Sequence, residues 1–207
     1  MQVKKDKIRS TILTTARREF FHRGFPETTM RSIARKSRIT TSNIYNYFKS
    51  KDDLFIEIVK PTLVSITRSL DRMEAESLKG NTSLLDYSSM KRQFEAVIEF
   101  VNSNRWDLNL ILFKSSGSGI HNIKEEFINR TTEIFMRQLT LLKQIKPQLK
   151  TDISRFFVHN LCSLYANIVV EIIMHDISFE KMREYSEEFL TFVFHGEKAL
   201  IGWDQID

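Results

Sequence analysis

Between residues 40 and 48 the chain reads Thr-Thr-Ser-Asn-Ile-Tyr-Asn-Tyr-Phe, with Ile44 and Phe48 four residues apart. That spacing puts both apolar side chains on one stripe of a helix. Ser42, Tyr45 and Asn46 are left on the outward face, with Thr41 and Asn43 at its flanks and Tyr47 beside the stripe. Hydroxyls and carboxamides are the groups that hydrogen-bond to base edges and phosphate oxygens, and an asparagine can pair bidentately with adenine. A merely solvated face seldom needs two tyrosines. The chemistry these residues suit is recognition of a nucleic acid, not bond making.

Such a surface must be held by neighbouring elements. Thr28 and Thr29 can each cap a helix starting near Met30, with Ile33 and Ala34 inward. A break is expected at Ser37, Arg38 and Ile39, after which Thr40 or Thr41 caps the helix that carries the polar face. A third helix opens at Ser50, with Asp53 as the carboxylate of a variant capping box. Lys51 then stands in a first turn, where the helix dipole disfavours a cation unless a phosphate binds there; a solvated lysine is the alternative.

The run TTMRSIARKSRITTSNIYNYFKSKDDL, preceded by ARREFFHRGF, resembles the DNA-binding domain of the tetracycline-repressor (TetR) family of bacterial transcription regulators. Phe20, Gly24, Phe25, Thr28, Thr29, Ile33, Ala34, Ile44, Tyr45, Tyr47, Phe48, Ser50, Lys51 and Leu54 carry the likeness, over about the first quarter of the chain. The family usually has Ala-Gly where this chain has Ser37-Arg38, and a small residue where it has Ser42. A glycine tolerates positive φ freely, so Arg38 implies a strained turn or one closed differently. The resemblance implies an all-α fold of about nine helices, with a helix-turn-helix domain at residues 1–50 and a helical ligand-binding and dimerisation domain at 51–207. It further implies a homodimer built on the two C-terminal helices, about residues 151–195. DNA contacts are then expected from Thr29, Arg31, Arg38, Thr41, Ser42, Asn43, Tyr45, Asn46, Tyr47 and Lys51.

The charge distribution points the same way. Residues 1–60 hold 14 Lys and Arg against 6 Asp and Glu, whereas residues 61–207 hold 17 against 20. A basic module on a mildly acidic body is expected where one part alone meets a polyanion, although RNA or acidic lipid would attract it too. With 42% hydrophobic and 28% charged residues the 207-residue chain is globular. No uninterrupted apolar stretch suggests a membrane span, and the start MQVKKDKIRS lacks the apolar core of a signal peptide, so a cytoplasmic location is expected. The single cysteine, Cys162, lies in an apolar helical pattern and is expected to be a buried structural thiol.

Along the chain, a first helix is expected over residues 4–23, with Ile8, Ile12, Leu13, Ala16 and Phe20 on one face, ending at Gly24. Its other face carries Lys4, Lys5, Arg9, Arg17 and Arg18, solvated or touching flanking phosphates. From Leu54 a long helix runs to about Leu78, with a kink or restart expected at Pro61. Residues 79–83 read as a loop, and 115–119, Ser-Ser-Gly-Ser-Gly, as a flexible one. The last two helices are the most apolar, and the first of them is apolar on more than one face, so one face should meet a second copy.

No His or Cys set has metal-ligand spacing, Glu125-Glu126 and Glu187-Glu188 point apart on a helix, and no nucleophile motif is present, so neither an enzyme nor a cofactor is expected. Phe94, Trp106, Phe113, Phe127, Met136, His159, Cys162 and Tyr165 combine apolar bulk with an occasional polar handle and are candidates for a pocket taking a small apolar or aromatic effector. The resulting expectation is a homodimeric, ligand-responsive repressor on a near-palindromic double-stranded DNA operator. Its rivals are a sequence-indifferent architectural DNA binder and a helical carrier or enzyme with a vestigial DNA module.

Overall fold

The computed structural model describes residues 2–78 and 86–203, with side chains from Lys5 onward except that of Leu78; the loop expected at 79–83 and the side chain of Lys4 lie outside the described residues. Among the described residues there are nine helices and no strand: α1 Gln2–Glu27, α2 Met30–Lys36, α3 Thr41–Tyr45, α4 Lys51–Leu78, α5 Tyr87–Ser103, α6 Arg105–Phe113, α7 Ile123–Ile145, α8 Arg155–Met174 and α9 Phe179–Leu200. The chain forms two compact units, one of Met1–Ser65 with Trp106–Lys124, the other of Ile66–Arg105 with Glu125–Asp207. The division expected after residue 50 does not coincide with this boundary. Leu54, Phe55, Ile58 and Val59 of α4, with Leu110 and Ile111 of α6, are buried in the same core as α1 to α3, so these segments belong to the first unit.

In that first unit Ile12, Ala16 and Phe20 of α1 are fully buried. Phe20 meets Phe55 edge-on at 4.9 Å, and Phe25 lies 5.4 Å from the same ring, in the tilted arrangements aromatic quadrupoles favour. The regular helix breaks at Gly24, with φ 75° and ψ 171°, a backbone that disfavours a side chain; one more turn through Pro26 follows. The reversal lets the Phe25 N–H donate to the Lys114 carbonyl at 2.8 Å and the Thr28 hydroxyl to the Gly24 carbonyl at 2.7 Å.

Two expectations change here. Residues 115–119 are not a flexible loop. Ser115 and Ser118 are buried, the Ser115 hydroxyl donates to the Ile111 carbonyl at 2.6 Å, and the Gly119 N–H donates to Asp52 Oδ1 at 2.7 Å. Small polar residues read as loop by composition, but these close their hydrogen bonds internally. Pro61 does not restart α4, which runs unbroken from Lys51 to Leu78. Its ring is solvent-exposed while Val59 and Thr62 on either side are buried, so packing holds the helix through the lost backbone donor.

The second unit packs α5 against α9 through Met90, Phe189, Leu190, Val193 and Phe194, and α7 against α8 through Ile128, Leu139, Leu142, Val158 and Cys162. Asp86, Ser154 and Ser178 cap α5, α8 and α9 by accepting from backbone N–H groups of the first turn. Arg130 of α7 joins Asp71 at 2.5 Å and Glu74 at 3.2 Å near the end of α4, and Arg137 joins Glu74 at 2.7 Å. The Arg130 hydrogen bond holds the Glu74 carboxyl below its ordinary range. Helix α8 is long and apolar enough to cross a bilayer by length and a mean hydropathy of 1.5, a property the sequence reading passed over. It carries Phe156, Phe157, Leu164 and Met174 exposed.

Candidate nucleic-acid interface

Thr29 is the cap of α2: its hydroxyl accepts from the Ser32 N–H at 3.1 Å, and Ser32 returns the bond to the Thr29 N–H. Met30, Ile33 and Ala34 bury the inner face of this helix. The turn that follows takes the glycine conformation without a glycine. Arg38 has φ 57°, its N–H donates to the Arg35 carbonyl at 3.2 Å, and the Ile39 N–H reaches the Ala34 carbonyl at 3.1 Å. This paired closure is the Schellman motif, with Ile39 folding back toward the core and Arg38 at the position that usually favours Gly. Of the two alternatives for Arg38, the structure therefore has the strained one.

Thr40 caps α3 by accepting from the Asn43 N–H at 3.2 Å. The helix proper covers only Thr41–Tyr45 and continues as a turn that buries Phe48 behind Ile44. Ser42, Tyr45 and Asn46 face solvent, Tyr45 being 52% exposed, while Thr41, Asn43 and Tyr47 are half-buried. The polar groups are paired among themselves: Thr40 Oγ1 and Ser42 Oγ are 3.0 Å apart, and the Asn46 amide donates to Asn43 Oδ1 at 3.4 Å. Hydroxyls and carboxamides thus stand side by side on one short surface.

The cations around it fall into two groups. Arg9 pairs with Glu57, Arg17 with Asp107, and Lys36 with Glu19, whose side chain is buried. The first two also lie over aromatic rings, Arg9 on Phe48 and Arg17 on Trp106. These three stabilise the unit itself. Arg31, Arg35, Arg38 and Lys49 are exposed and have no carboxylate partner among the described residues. Arg35 and Lys49 escaped the sequence reading, although a signal existed: no Asp or Glu occurs between Glu27 and Asp52.

Lys51 has a use that sequence did not suggest. Its Nζ donates to the Phe25 carbonyl at 2.6 Å and to the Pro26 carbonyl at 3.3 Å, 4.2 Å from the centre of the Phe25 ring. Ser50 and Asp53 cap α4 as a variant box, Asp53 accepting from the Lys49 N–H at 3.0 Å and donating its own N–H to Ser50 Oγ at 2.9 Å.

The eight effector candidates are divided between the two units. Trp106 and Phe113 belong to the first unit, where Trp106 stacks on Phe21 at 4.0 Å, whereas the other six belong to the second. Phe94 and Tyr165 meet edge-on at 6.4 Å; Phe127 and Met136 pack on the cluster that buries Cys162. Burial pushes the Cys162 thiol up, as expected of a structural cysteine. His159 is half-buried on α8. The Tyr165 hydroxyl donates to Glu197 at 2.8 Å, and Glu197 was not among the candidates.

Residues 12–58 match the model for bacterial regulatory proteins of the tetR family. Over 68 residues the chain is 34% identical to the uncharacterised HTH-type transcriptional regulator YfiR of Bacillus subtilis, a match covering 33% of each protein, so about a third of that relative's length is spanned. The fold is similar to that of NalD, the secondary repressor of the MexAB-OprM multidrug efflux pump in Pseudomonas aeruginosa, with TM-score 0.64 and 18% identity over 92% of this chain and 96% of that one. It is also similar to the transcriptional regulator FadR of Bacillus subtilis, solved with stearoyl-CoA, with TM-score 0.51 and 17% identity over 90% and 98% of the two chains. The likeness to the tetR family of bacterial regulatory proteins is thus carried by the N-terminal module, residues 12–58.

Proposed function

We propose that the protein is a transcriptional regulator that binds a near-palindromic operator as a homodimer and is released by a small molecule. The observation that carries this reading is the α3 surface. Thr41, Ser42, Asn43, Tyr45 and Asn46 present donors and acceptors at the major-groove scale on a short helix, ringed by the exposed Arg31, Arg35, Arg38 and Lys49. The cations supply affinity through phosphates, and the amides and hydroxyls supply the discrimination.

The dimer is supported by the apolar groups that α8 and α9 leave uncovered, with Phe156 78% and Phe192 68% exposed. A surface of that kind is ordinarily covered by a partner, and two copies of one helix pair offer a self-complementary one. The effector belongs to the second unit. NalD represses a drug-efflux pump and FadR holds an acyl-CoA, and this fold likeness supports a lipophilic effector for the present chain. Such a regulator works in the cytoplasm, with the DNA, and needs no catalytic centre.

Footprinting the purified protein on the DNA flanking its own coding region tests the reading. A protected, two-fold-related site that survives excess competitor DNA is the expected result. Protection that competitor abolishes on every fragment would identify a sequence-indifferent binder instead.

A further inference from the structure

The segment that carries α2 and α3 leaves α1 at Glu27 and rejoins the scaffold at Lys51, the first residue of α4. Where its polar surface points is therefore set by how those two ends are held. Lys51 ties them to each other: its ammonium donates to the Phe25 and Pro26 carbonyls at 2.6 and 3.3 Å, against the face of the Phe25 ring. A second tie comes from residues 114–119, which follow α6 and belong to the same unit. The Lys114 carbonyl accepts the Phe25 N–H at 2.8 Å, and the Gly119 N–H donates to Asp52 Oδ1 at 2.7 Å. One short stretch, remote in sequence, thus grips both ends.

These ties lie at the edge of the unit, not in its core. Phe20, Ile33, Ile44 and Phe55 are fully buried, whereas Lys51 and Asp52 are half-buried and Gly119 is exposed. Their chemistry decides what they can do. An ammonium that donates to two carbonyls and lies on an aromatic face has its charge committed within the protein, and a phosphate would have to draw it away from all three. A backbone N–H on a carboxylate is a charge-assisted bond, roughly twice as strong as a neutral one. Gly119 permits that bond by its size. The nearest atoms a Cβ there would meet are all of Asp52, with Oδ2 at 2.9 Å, and the Gly119 backbone is outside the left-handed region, so alanine acts on that contact and not through backbone strain.

We propose that Lys51, Asp52 and Gly119 are positioning residues for DNA recognition: they touch no nucleotide and set the presentation of α3 by holding both ends of the segment that carries it. Gly119 lies well outside residues 12–58, and its role, like that of the other two, rests on the regulator reading above.

Binding by the full chain is measured by fluorescence anisotropy at several salt concentrations, at a temperature where circular dichroism shows every variant folded. The probes are a duplex that the wild-type chain selects from a random double-stranded library and single-base variants of that duplex. Gly119→Ala, Asp52→Ala and Lys51→Ala should each weaken binding by about tenfold, equally on all these duplexes, with the slope of log affinity against log salt unchanged. Asp52→Asn, which keeps an acceptor for the Gly119 N–H, should stay within about threefold of wild type. On charge alone both Asp52 variants would tighten binding to a polyanion, so a loss in Asp52→Ala that Asp52→Asn does not share reports position. Adding Gly119→Ala to Asp52→Ala should weaken binding no further, because both changes remove the same bond.

A salt slope that falls by about 1 in Lys51→Ala would make that residue a phosphate contact and overturn the proposal. So would Gly119→Ala that binds like wild type, or Asp52→Ala that binds as tightly as Asp52→Asn. A wild-type chain that binds no duplex removes the regulator reading and the positioning roles together; one that binds, with Gly119→Ala binding equally, removes the positioning roles alone.

Discussion

The hydroxyl of Thr62 donates to Asp107 Oδ2 at 2.8 Å, and the other oxygen of the same carboxylate pairs with Arg17 at 2.5 Å. One side chain of α6 thereby ties α1 to α4, with the Trp106 ring beneath the Arg17 guanidinium. Asp107→Ala removes the carboxylate that accepts the Thr62 hydroxyl and holds Arg17. A loss of about 2–4 kcal/mol is expected, seen as a lower urea midpoint with an unchanged slope. Asp107→Asn, which keeps one acceptor, should lose less. Equal midpoints for wild type and Asp107→Ala would show that the junction contributes nothing.

Arg38→Gly should stabilise the first unit by up to about 1 kcal/mol, because the left-handed backbone at φ 57° no longer opposes a side chain. The same change removes an exposed cation at the edge of α3. If Arg38 meets a phosphate, the slope of log affinity against log salt falls by about 1 in magnitude. A slope identical to wild type, with the stability gain present, would leave Arg38 a structural oddity only.

Asn46→Ala and Lys51→Ala should separate by type of defect. Asn46 stands on the exposed surface, and its loss should relax sequence preference by about 1–3 kcal/mol at one base position. Lys51→Ala should weaken all sites alike. Since its ammonium also holds the Phe25 and Pro26 carbonyls, it should lower the melting temperature as well. Uniform losses in both variants would refute this division of roles.

The folded chain holds the Glu197 proton up to about pH 7, whereas an unfolded glutamate releases it near 4.5. Above 4.5 the unfolded state therefore gains from ionisation before the native state can. The contribution of this group to stability is complete below 4.5 and is lost as pH rises through 7. Its size is on the order of 3 kcal/mol between those limits. Urea titrations from pH 5 to pH 8 should show the decline in wild type and a flatter profile in Glu197→Gln.

Phe156→Asp with Phe192→Asp alters side chains that are largely exposed in one copy, so monomer folding should barely change. Sedimentation at micromolar concentration should show dimers for wild type and monomers for the double variant. Dimers in both would move the interface elsewhere.

Much of the first unit was legible in the sequence because periodicity and capping are local. Ile33 and Ala34, Ile44 and Phe48 are buried where their spacing put them, and Thr29, Ser50 and Asp53 cap as their positions suggested. The failures share a cause, which is that a charged or small polar residue does not announce its own burial. Asp107 and Glu197 each occupy an inward position where a pattern reading looks for hydrocarbon. Ser115 and Ser118 read as solvent-loving punctuation until partners 4 and 3 residues away are seen to close on them. Trp106 and Phe113 were grouped with the effector candidates because apolar bulk says nothing about which unit a helix joins.

The contacts within the α3 surface, Thr40 with Ser42 and Asn46 with Asn43, bear on how such a surface chooses among sequences. These groups are already occupied when the protein is alone. Meeting a duplex is then a trade in which each existing contact is given up for a new one, and an ill-matched site leaves the trade incomplete. Selectivity on this account comes less from the warmth of the right encounter than from the penalty attached to every wrong one.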